Sequence, residues 1–199
     1  MLNKVFKCQY GPAKAFLVSS PLGRLQLVSC PNGIHSLELP TTLTDDKFTP
    51  DLSVKVSLEE QPGLEPSGVY KPVQECVSWL NTYFQKDKEA IQATVLPSIC
   101  MFKGQNKEEG TFTSRVWRTL AEEVSFGQTV SYGQLAGMCG NASASRAVGQ
   151  AMRNNPVVLI VPCHRVLLSG GTVGNYSGGR MNWVKAWLLK YEGAKNVNM

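Results

Sequence analysis

The chain has 199 residues, a net charge of +5 and a composition, 43% hydrophobic and 18% charged, that is typical of a folded protein rather than a disordered one. Its sequence has no apolar stretch near the ~18–20 residues of a membrane span, and its amino terminus lacks the apolar core of a secretory signal. We therefore expect an intracellular protein with no membrane partner, whose six cysteines act as thiols or metal ligands and not as a disulfide framework.

The positive charge lies in the second half of the chain. Residues 111–199 contain nine basic and three acidic residues, whereas residues 1–110 are close to neutral. Because neutralising phosphates supplies much of the affinity for nucleic acid, this asymmetry favours a polyanionic partner. The polar, glycine-bounded segment 103–110 is typical of a linker and predicts an N-terminal domain of residues 1–105 and a C-terminal domain of residues 106–199.

The first domain has the pattern of a small antiparallel sheet followed by a helix. Apolar residues alternate with period two, and Asn32-Gly33 suits a hairpin turn. The predicted strands are residues 15–18, 24–29 and 34–39. Residues 40–71 contain four prolines and no period, which indicates a long surface loop with at most a short strand at 52–58. A helix is expected at 72–86.

The second domain is predicted to begin with three helices. Their expected starts are Thr113, Ser131 and either Ser143 or Ser145, and the second and third end near Met138 and Arg153. Two short helices joined by a glycine-containing turn are typical of a helix-turn-helix, in which the second helix contacts DNA. An ordinary helical hairpin has the same pattern.

A cysteine and one of the two histidines follow an apolar run. Residues 157–161 predict a buried strand that ends at Cys163, where catalytic groups are often displayed. An imidazole or guanidinium beside a thiol, here His164 and Arg165, can lower its pKa from about 8.5 into the ~3.5–7.5 range and so favour the reactive thiolate. A structural cysteine at a strand end has the same local pattern.

Residues 161–167, with the sequence VPCHRVL, resemble the active-site signature of the O6-alkylguanine-DNA alkyltransferases, also called methylated-DNA–protein-cysteine methyltransferases. Further motifs of that family occur in the family's order. They lie at residues 131–132, 146–149, 152–156, 173–179 and 185–193. The resemblance covers essentially all of 111–193 and, more weakly, the turn at 20–23.

The resemblance implies both a fold and an activity. The fold would be α/β, with a ribonuclease-H-like N-terminal sheet and helix and a C-terminal winged helix-turn-helix. The activity would be DNA repair by direct reversal, in which a monomer flips an O6-alkylguanine out of double-stranded DNA and transfers the alkyl group to Cys163, once and without a cofactor. O4-alkylthymine would react less efficiently, and a eukaryotic member would act in the nucleus.

The family's catalytic residues match Cys163, His164, Glu192, Asn155 and Tyr132. Because consecutive strand residues point to opposite faces, we expect His164 to reach the Cys163 sulfur through a water. The resemblance implies that Glu192 orients the imidazole and that Asn155 holds the thiol. Taken alone, Glu192 fits a solvated charge at a helix end and Asn155 a helix-terminal residue before a proline.

The resemblance also assigns residues to DNA and to a base pocket. Arg146 would fill the place of the flipped base, while Tyr132 would donate to guanine N3 and help to rotate the phosphate. The DNA-contacting residues are Arg146, Tyr132, Ala147, Gly149, Arg153 and Ser131, the small ones letting the helix enter the minor groove. The base-pocket residues are Val166, Tyr176, Ser177, Val158 and Met152. Backbone amides at 176–177 would donate to O6, and Ser177 also suits a helix N-cap.

The chain departs from the family pattern in three places. Val158 stands where a proline is common, and residues 180–183 include two extra positions that shift the start of the last helix. The structural zinc that some members hold with two Cys and two His would here be bound by Cys8, Cys30, His35 and Cys100. Cys100 takes the place of the second histidine and Cys8 lies three residues farther away than expected, but both are acceptable ligands for tetrahedral zinc.

Two other functions fit parts of the pattern. An alkyltransferase-like lesion sensor would bind the damaged base without repairing it, but such proteins lack the cysteine that is present here as Cys163. A thiol hydrolase using Cys163 and His164 would turn over and would not need DNA.

Overall fold

The computed structural model describes residues 6–40, 42–63, 65–102, 110–195 and 197–198. These form two compact units: one contains the described residues up to 42 and those of 49–102, the other those of 43–48 and from 110 onward. The predicted boundary at 105/106 lies within 103–109, outside the described residues. The segment 43–48, which the sequence places in the loop of the first domain, belongs to the second unit instead.

The first unit is an antiparallel sheet with a helix packed on it. Its strands are β1 (Phe6–Cys8), β2 (Gly11–Ser20), β3 (Gly23–Cys30), β4 (Gly33–Glu38) and β5 (Ser57–Leu58), in the order β1-β2-β3-β4 with β5 also paired to β2. Helix α1 (Lys71–Phe84) packs on β3 and β4, and α2 (Lys88–Ala93) follows it. The predicted alternation is confirmed, since Phe16, Val18, Leu25 and Leu27 are all fully buried. The small antiparallel sheet with a helix is therefore as the sequence predicts.

The second unit combines four helices with a short parallel sheet. Helices α3 (Phe112–Glu123), α4 (Tyr132–Met138) and α5 (Ser145–Arg153) pack together, β6 (Val130–Ser131) pairs in parallel with β7 (Val166–Leu167), and α6 (Asn182–Tyr191) follows. Ser131 caps α4 in a capping box with Gln134, which confirms the predicted helix start. Within the described ranges, no helix has the length and apolarity needed to span a bilayer.

The predicted cap of α3 is wrong by two residues. Thr111, and not Thr113, precedes the helix, and its hydroxyl accepts from Ser114 N at 3.2 Å. The helix therefore begins at Phe112. Two threonines so close to the same apolar face are equally good candidates in the sequence, and only the backbone conformation decides between them.

The apolar run before the cysteine is not a strand, contrary to the prediction. Residues 157–161 are buried except for Val158, yet they form tight turns, with Ile160 N donating to Val158 O at 2.9 Å. Leu159 has a φ of 70°, far from extended backbone. A single 3-10 turn, Cys163–Arg165, follows and leads into β7. Apolar content predicts burial, but buried turns and buried strands share that composition.

Candidate functional site

Cys163 lies at a cavity of about 800 Å³ in the second unit. Residues of α5 line one part of the cavity, and the loop before α6 lines another. Beside Cys163, the lining includes these residues singled out from the sequence: Tyr132, Arg146, Gly149, Met152, Arg153, Asn155, Val158, Tyr176 and Ser177. A cavity of this volume is within the range of those that hold small molecules. The predicted nucleophile, much of the base-pocket set and much of the DNA-contacting set therefore meet in one place.

Three of the predicted DNA-contacting and base-pocket residues lie outside the lining of this cavity, as do the predicted catalytic residues His164 and Glu192. Ser131 caps α4, and Ala147 is exposed on α5. Val166 is completely buried in β7, and its carbonyl accepts from Lys185 Nζ at 2.8 Å. Since the ammonium of Lys185 also donates to Val173 O at 2.6 Å, it ties β7 to the loop that lines the cavity. Sequence reasoning gave Lys185 no role, because a lysine on a helix normally faces solvent.

Two further lining residues had no predicted role. Leu168 follows β7 with 46% of its surface exposed, and Arg180 precedes α6. Nothing in the sequence distinguishes Leu168 from the leucines of the core or Arg180 from an ordinary surface arginine. Both are placed at the cavity by the turns around them.

The Cys163 sulfur is held among hydrogen-bonding groups away from solvent. The residue is 6% exposed, and Sγ lies 3.6 Å from Tyr176 Oη. Burial raises the pKa of the Cys163 thiol, although its hydrogen bonds with Asn155 and Tyr176 and the charge of Lys185 oppose the rise. The resting thiol is therefore protonated, and it becomes a strong nucleophile only when a base takes its proton.

The carboxylate of Glu192 joins His164 and Arg165 in the interior. His164 Nε2 lies 2.8 Å from Oε1, and Arg165 contacts both oxygens through Nε at 2.8 Å and Nη2 at 2.9 Å. Burial alone would raise the pKa of Glu192, but the hydrogen bonds from His164 and Arg165 and the positive charge of Arg165 outweigh it and hold that pKa well below its usual range. Glu192 is thus ionised and buried, not a solvated charge at a helix end.

The imidazole of His164 is neutral and offers one nitrogen as a base. Burial lowers the pKa of His164, and Glu192 opposes that effect only in part. Because ionised Glu192 accepts a hydrogen bond, Nε2 carries the proton and Nδ1 keeps its lone pair. Nδ1 is buried and has no hydrogen-bond partner within the part of the chain that the structure describes. The strand geometry that predicted an indirect contact with Cys163 is wrong, since both residues lie in one 3-10 turn.

Arg165 serves the carboxylate and not the thiol. Its Nη1 donates to Val124 O at 2.6 Å, in addition to its two bonds with Glu192. Gly127 N donates to Glu192 Oε2 at 3.1 Å from a backbone with a φ of 79°. A Cβ at Gly127 would lie 2.7 Å from Glu192 O, so only glycine allows this approach. The buried carboxylate is thereby fixed from several sides.

Asn155 organises the turns that lead to the cysteine. Its Nδ2 donates to Val161 O at 2.8 Å, and its Oδ1 accepts from Val157 N at 3.0 Å. The same side chain hydrogen-bonds the Cys163 thiol. Asn155 therefore does more than terminate α5.

The loop before α6 departs from the prediction in two ways. The amide of Tyr176, expected to face a bound base, donates to Asn182 Oδ1 at 2.8 Å. Ser177 does not cap α6, because it lies in a separate turn, Ser177–Gly179, with a φ of 48°. Residues 180 and 181 separate that turn from α6, which begins at Asn182.

Helix α5 presents a basic face to solvent beside the cavity. Its exposed residues include Arg146, Ala147, Gln150 and Arg153. Gly149 lies close to the ring of Tyr132, where a Cβ would be 3.9 Å from Cε1. Burial raises the pKa of Tyr132, and a Cys163 thiolate would raise it further, so the phenol keeps its proton. The cavity therefore combines cationic side chains with a hydrogen-bond donor.

Four metal-ligating side chains meet in the first unit. The ligand atoms of Cys8, Cys30, His35 and Cys100 all lie within 4.8 Å of one another. The three sulfurs are 3.6, 3.7 and 3.8 Å apart, and tetrahedral zinc with bonds of about 2.3 Å separates sulfurs by about 3.8 Å. His35 Nε2 is buried without a hydrogen-bond partner among the described residues. A Cβ at Gly33 would lie 2.5 Å from Cys100 N, so glycine lets the Cys100 backbone approach. The donor set fits a tetrahedral metal ion.

Comparisons with known proteins identify relatives of this chain among the DNA methyltransferases that use a cysteine. The family model described as 6-O-methylguanine DNA methyltransferase, DNA binding domain, matches residues 111–194. Two proteins named methylated-DNA–protein-cysteine methyltransferase, from Mus musculus and Homo sapiens, are 40% and 39% identical over 180 residues, which cover 90% of this chain and 81% and 80% of theirs. The crystal structure of Mycobacterium tuberculosis OGT in complex with DNA is similar with a TM-score of 0.60 at 28% identity, covering 89% of this chain and 91% of that chain.

Proposed function

The chain belongs to the methylated-DNA–protein-cysteine methyltransferase family, and we propose that Cys163 is the cysteine that accepts the alkyl group, from O6 of guanine in duplex DNA. As a member of this family, the protein repairs DNA by direct reversal, through transfer of the alkyl group to one of its own cysteines. One observation carries the choice of residue. All six cysteines are described, and Cys163 is the one that lines the cavity.

The thiol proton would pass through a water to His164. Nδ1 is the nitrogen available for it, since Nε2 is bound to Glu192. The carboxylate would then stabilise the imidazolium that forms, while Arg165 keeps the carboxylate in place. General-base catalysis of this kind typically contributes 10²–10⁴-fold.

The transfer itself is a displacement at the alkyl carbon. The bond from Sγ to that carbon forms as the bond to O6 breaks, and the released electron pair stays on the guanine. Tyr132, which keeps its phenolic proton, would donate to guanine N3 and offset the developing charge. Both electrons of the new bond come from the thiolate, so no cofactor takes part. The thioether product has no leaving group, and each molecule would therefore react once.

The target base would reach the cavity by leaving the duplex. Arg146, exposed on α5 and lining the cavity, would occupy the vacated place in the stack. The small residues Ala147 and Gly149 would let α5 lie in the minor groove, as a helix of a winged helix-turn-helix formed with α4. The first unit would be ribonuclease-H-like. O4-alkylthymine would react by the same route, more slowly.

Action as a monomer is supported by the fact that a single chain supplies all of these residues. A substrate in chromosomal DNA would place the protein in the nucleus of a eukaryotic cell.

A structural zinc ion would be bound by Cys8, Cys30, His35 and Cys100 in the first unit. Cys8, Cys30 and His35 lie on β1, β3 and β4, and Cys100 begins a 3-10 turn later in the chain. A closed tetrahedral site linking these elements would contribute to the stability of the unit.

Mass spectrometry after incubation with a duplex containing O6-methylguanine tests the function. We expect a gain of one methyl group on Cys163, none in Cys163→Ala, and no further turnover. Tight lesion binding with unchanged mass would instead indicate a lesion sensor. Repeated turnover of a substrate without DNA would indicate a thiol hydrolase.

A further inference from the structure

The start of α6 is held by a residue from far earlier in the chain. The carboxylate of Asp45 accepts hydrogen bonds from the first two amides of the helix, Asn182 N at 3.0 Å and Trp183 N at 2.8 Å. Asp45 N donates in turn to Arg180 O at 3.1 Å. The side chain of Met181, the residue before α6, does not cap the helix, so Asp45 takes the place of a local N-cap. Its carboxylate also adds negative charge at the positive end of the helix dipole.

Asn182 continues this contact toward the reactive thiol. Its side-chain oxygen accepts from Tyr176 N at 2.8 Å, while its own amide is bound to Asp45. The phenol of Tyr176 lies 3.6 Å from the Cys163 sulfur, and both residues are buried. A continuous line of contacts therefore runs from Asp45 through Asn182 and Tyr176 to Cys163.

The loop that carries Tyr176 needs an external support. The next residue, Ser177, has a φ of 48°, which is costly for a residue other than glycine. Gly178 and Gly179 continue with φ values of 69° and 90°. Strained backbone of this kind persists only where the surrounding structure holds it in place. The hydrogen bond from the Tyr176 amide to Asn182 Oδ1 fixes the backbone of Tyr176, the residue that carries the phenol.

We propose that Asp45 and Asn182 are positioning residues for alkyl transfer, which hold the phenol of Tyr176 against the Cys163 sulfur. This inference rests on Cys163 being the acceptor. Once the thiol has lost its proton, the phenol can donate a hydrogen bond to the sulfur and stabilise the thiolate. Neither residue belongs to the family motifs identified in the sequence, since Asp45 lies in the loop after β4 and Asn182 is the first residue of α6.

The test measures how fast free O6-benzylguanine alkylates Cys163, followed by mass spectrometry. This free nucleobase can react without DNA binding or base flipping. We expect Asn182→Ala to react about tenfold more slowly than the wild-type protein, the scale of one hydrogen bond to a charged group. Asn182→Asp keeps an acceptor oxygen and should recover most of the rate. Asp45→Ala should slow the reaction, whereas Asp46→Ala, the same charge change one residue away, should not.

A double-mutant cycle separates positioning from a general loss of stability. In a Tyr176→Phe protein there is no phenolic hydroxyl to position, so adding Asn182→Ala should change the rate by less than about twofold. Fully additive losses would overturn the proposal, as would equal rates for Asn182→Ala and the wild-type protein. Asp45→Asn, which retains one acceptor oxygen, replaces Asp45→Ala if that variant does not fold. A wild-type protein that fails to react would overturn the role of Cys163 instead.

Discussion

His164 Nε2 and Glu192 Oε1 lie 2.8 Å apart, and both side chains are completely excluded from solvent. The contact determines what each residue can do. Arg165 and the Gly127 amide hold the carboxylate in place, and the carboxylate fixes the tautomer of the imidazole. The lone pair of Nδ1 is then available to accept a proton, which in the proposed mechanism comes from the Cys163 thiol. Because the negative charge is buried, loss of either partner should affect stability as well as reactivity.

Glu192→Gln should destabilise the protein by about 3–5 kcal/mol at pH 7, because the Arg165 guanidinium loses its buried counter-charge. The free energy of unfolding in urea measures the effect. The folded pKa of Glu192 lies below its ordinary value of 4.5, so its contribution is present above that pH and is lost as the pH falls toward the folded value. The difference between the two proteins should therefore shrink below pH 4.5. Parallel stability curves down to acidic pH would contradict this.

The rate of Cys163 alkylation by free O6-benzylguanine should rise with pH through neutrality. Burial raises the pKa of the thiol, so ionisation is favoured as the pH increases, and burial lowers the pKa of His164, which keeps it available as a neutral base. His164→Gln should be slower by about 10²-fold and should show a steeper dependence on pH, since the thiolate must then form without the base. Single-turnover rates between about pH 6 and 8.5 check this. A rate that falls with pH in the wild-type protein would contradict it.

Local patterns in the sequence predict much of the fold. The alternation in β2 and β3, the turn at Pro31-Asn32 between β3 and β4, and the Ser131 cap are each formed by residues within a few positions of one another. Such features depend on residues that are close together in the chain, so their pattern can be recognised in the sequence. The turns at 157–161 were missed because composition predicts burial without conformation.

The long-range contacts of the site have no comparable signal. The pairing of Glu192 with His164 could be expected only from the family resemblance, because 28 positions separate them. Gly127 and Asp45 could not be expected at all, since their partners at 192 and 182 are set by how turns fold back and not by any spacing. The sequence alone does not show which distant segments of the chain come into contact.

Arg146→Ala should separate reaction with the free base from repair of duplex DNA. We expect the variant to react normally with O6-benzylguanine and to lose repair of O6-methylguanine in a duplex, because the vacated place in the stack stays unfilled. Lys190→Ala, an exposed charge on α6, is the control and should affect neither reaction. Arg153→Ala should weaken DNA binding and reduce its salt dependence by about one counterion. Equal loss of both reactions in Arg146→Ala would show that the residue supports the cavity and not the flipped nucleotide.

The cysteine–histidine cluster of the first unit should bind one zinc ion per chain. The three sulfurs and His35 supply four donors at tetrahedral spacing, so elemental analysis of the purified protein should find zinc, and Cys100→Ala should lose it. Cys139→Ala, which removes a buried thiol elsewhere, should retain the metal, and so should Cys100→His, which keeps a fourth donor. A chelator should lower the melting temperature of the wild-type protein but not that of Cys100→Ala, because binding to the folded state is what stabilises it. Wild-type protein that is free of zinc and whose melting temperature does not respond to added zinc would show that these residues form only a thiol cluster.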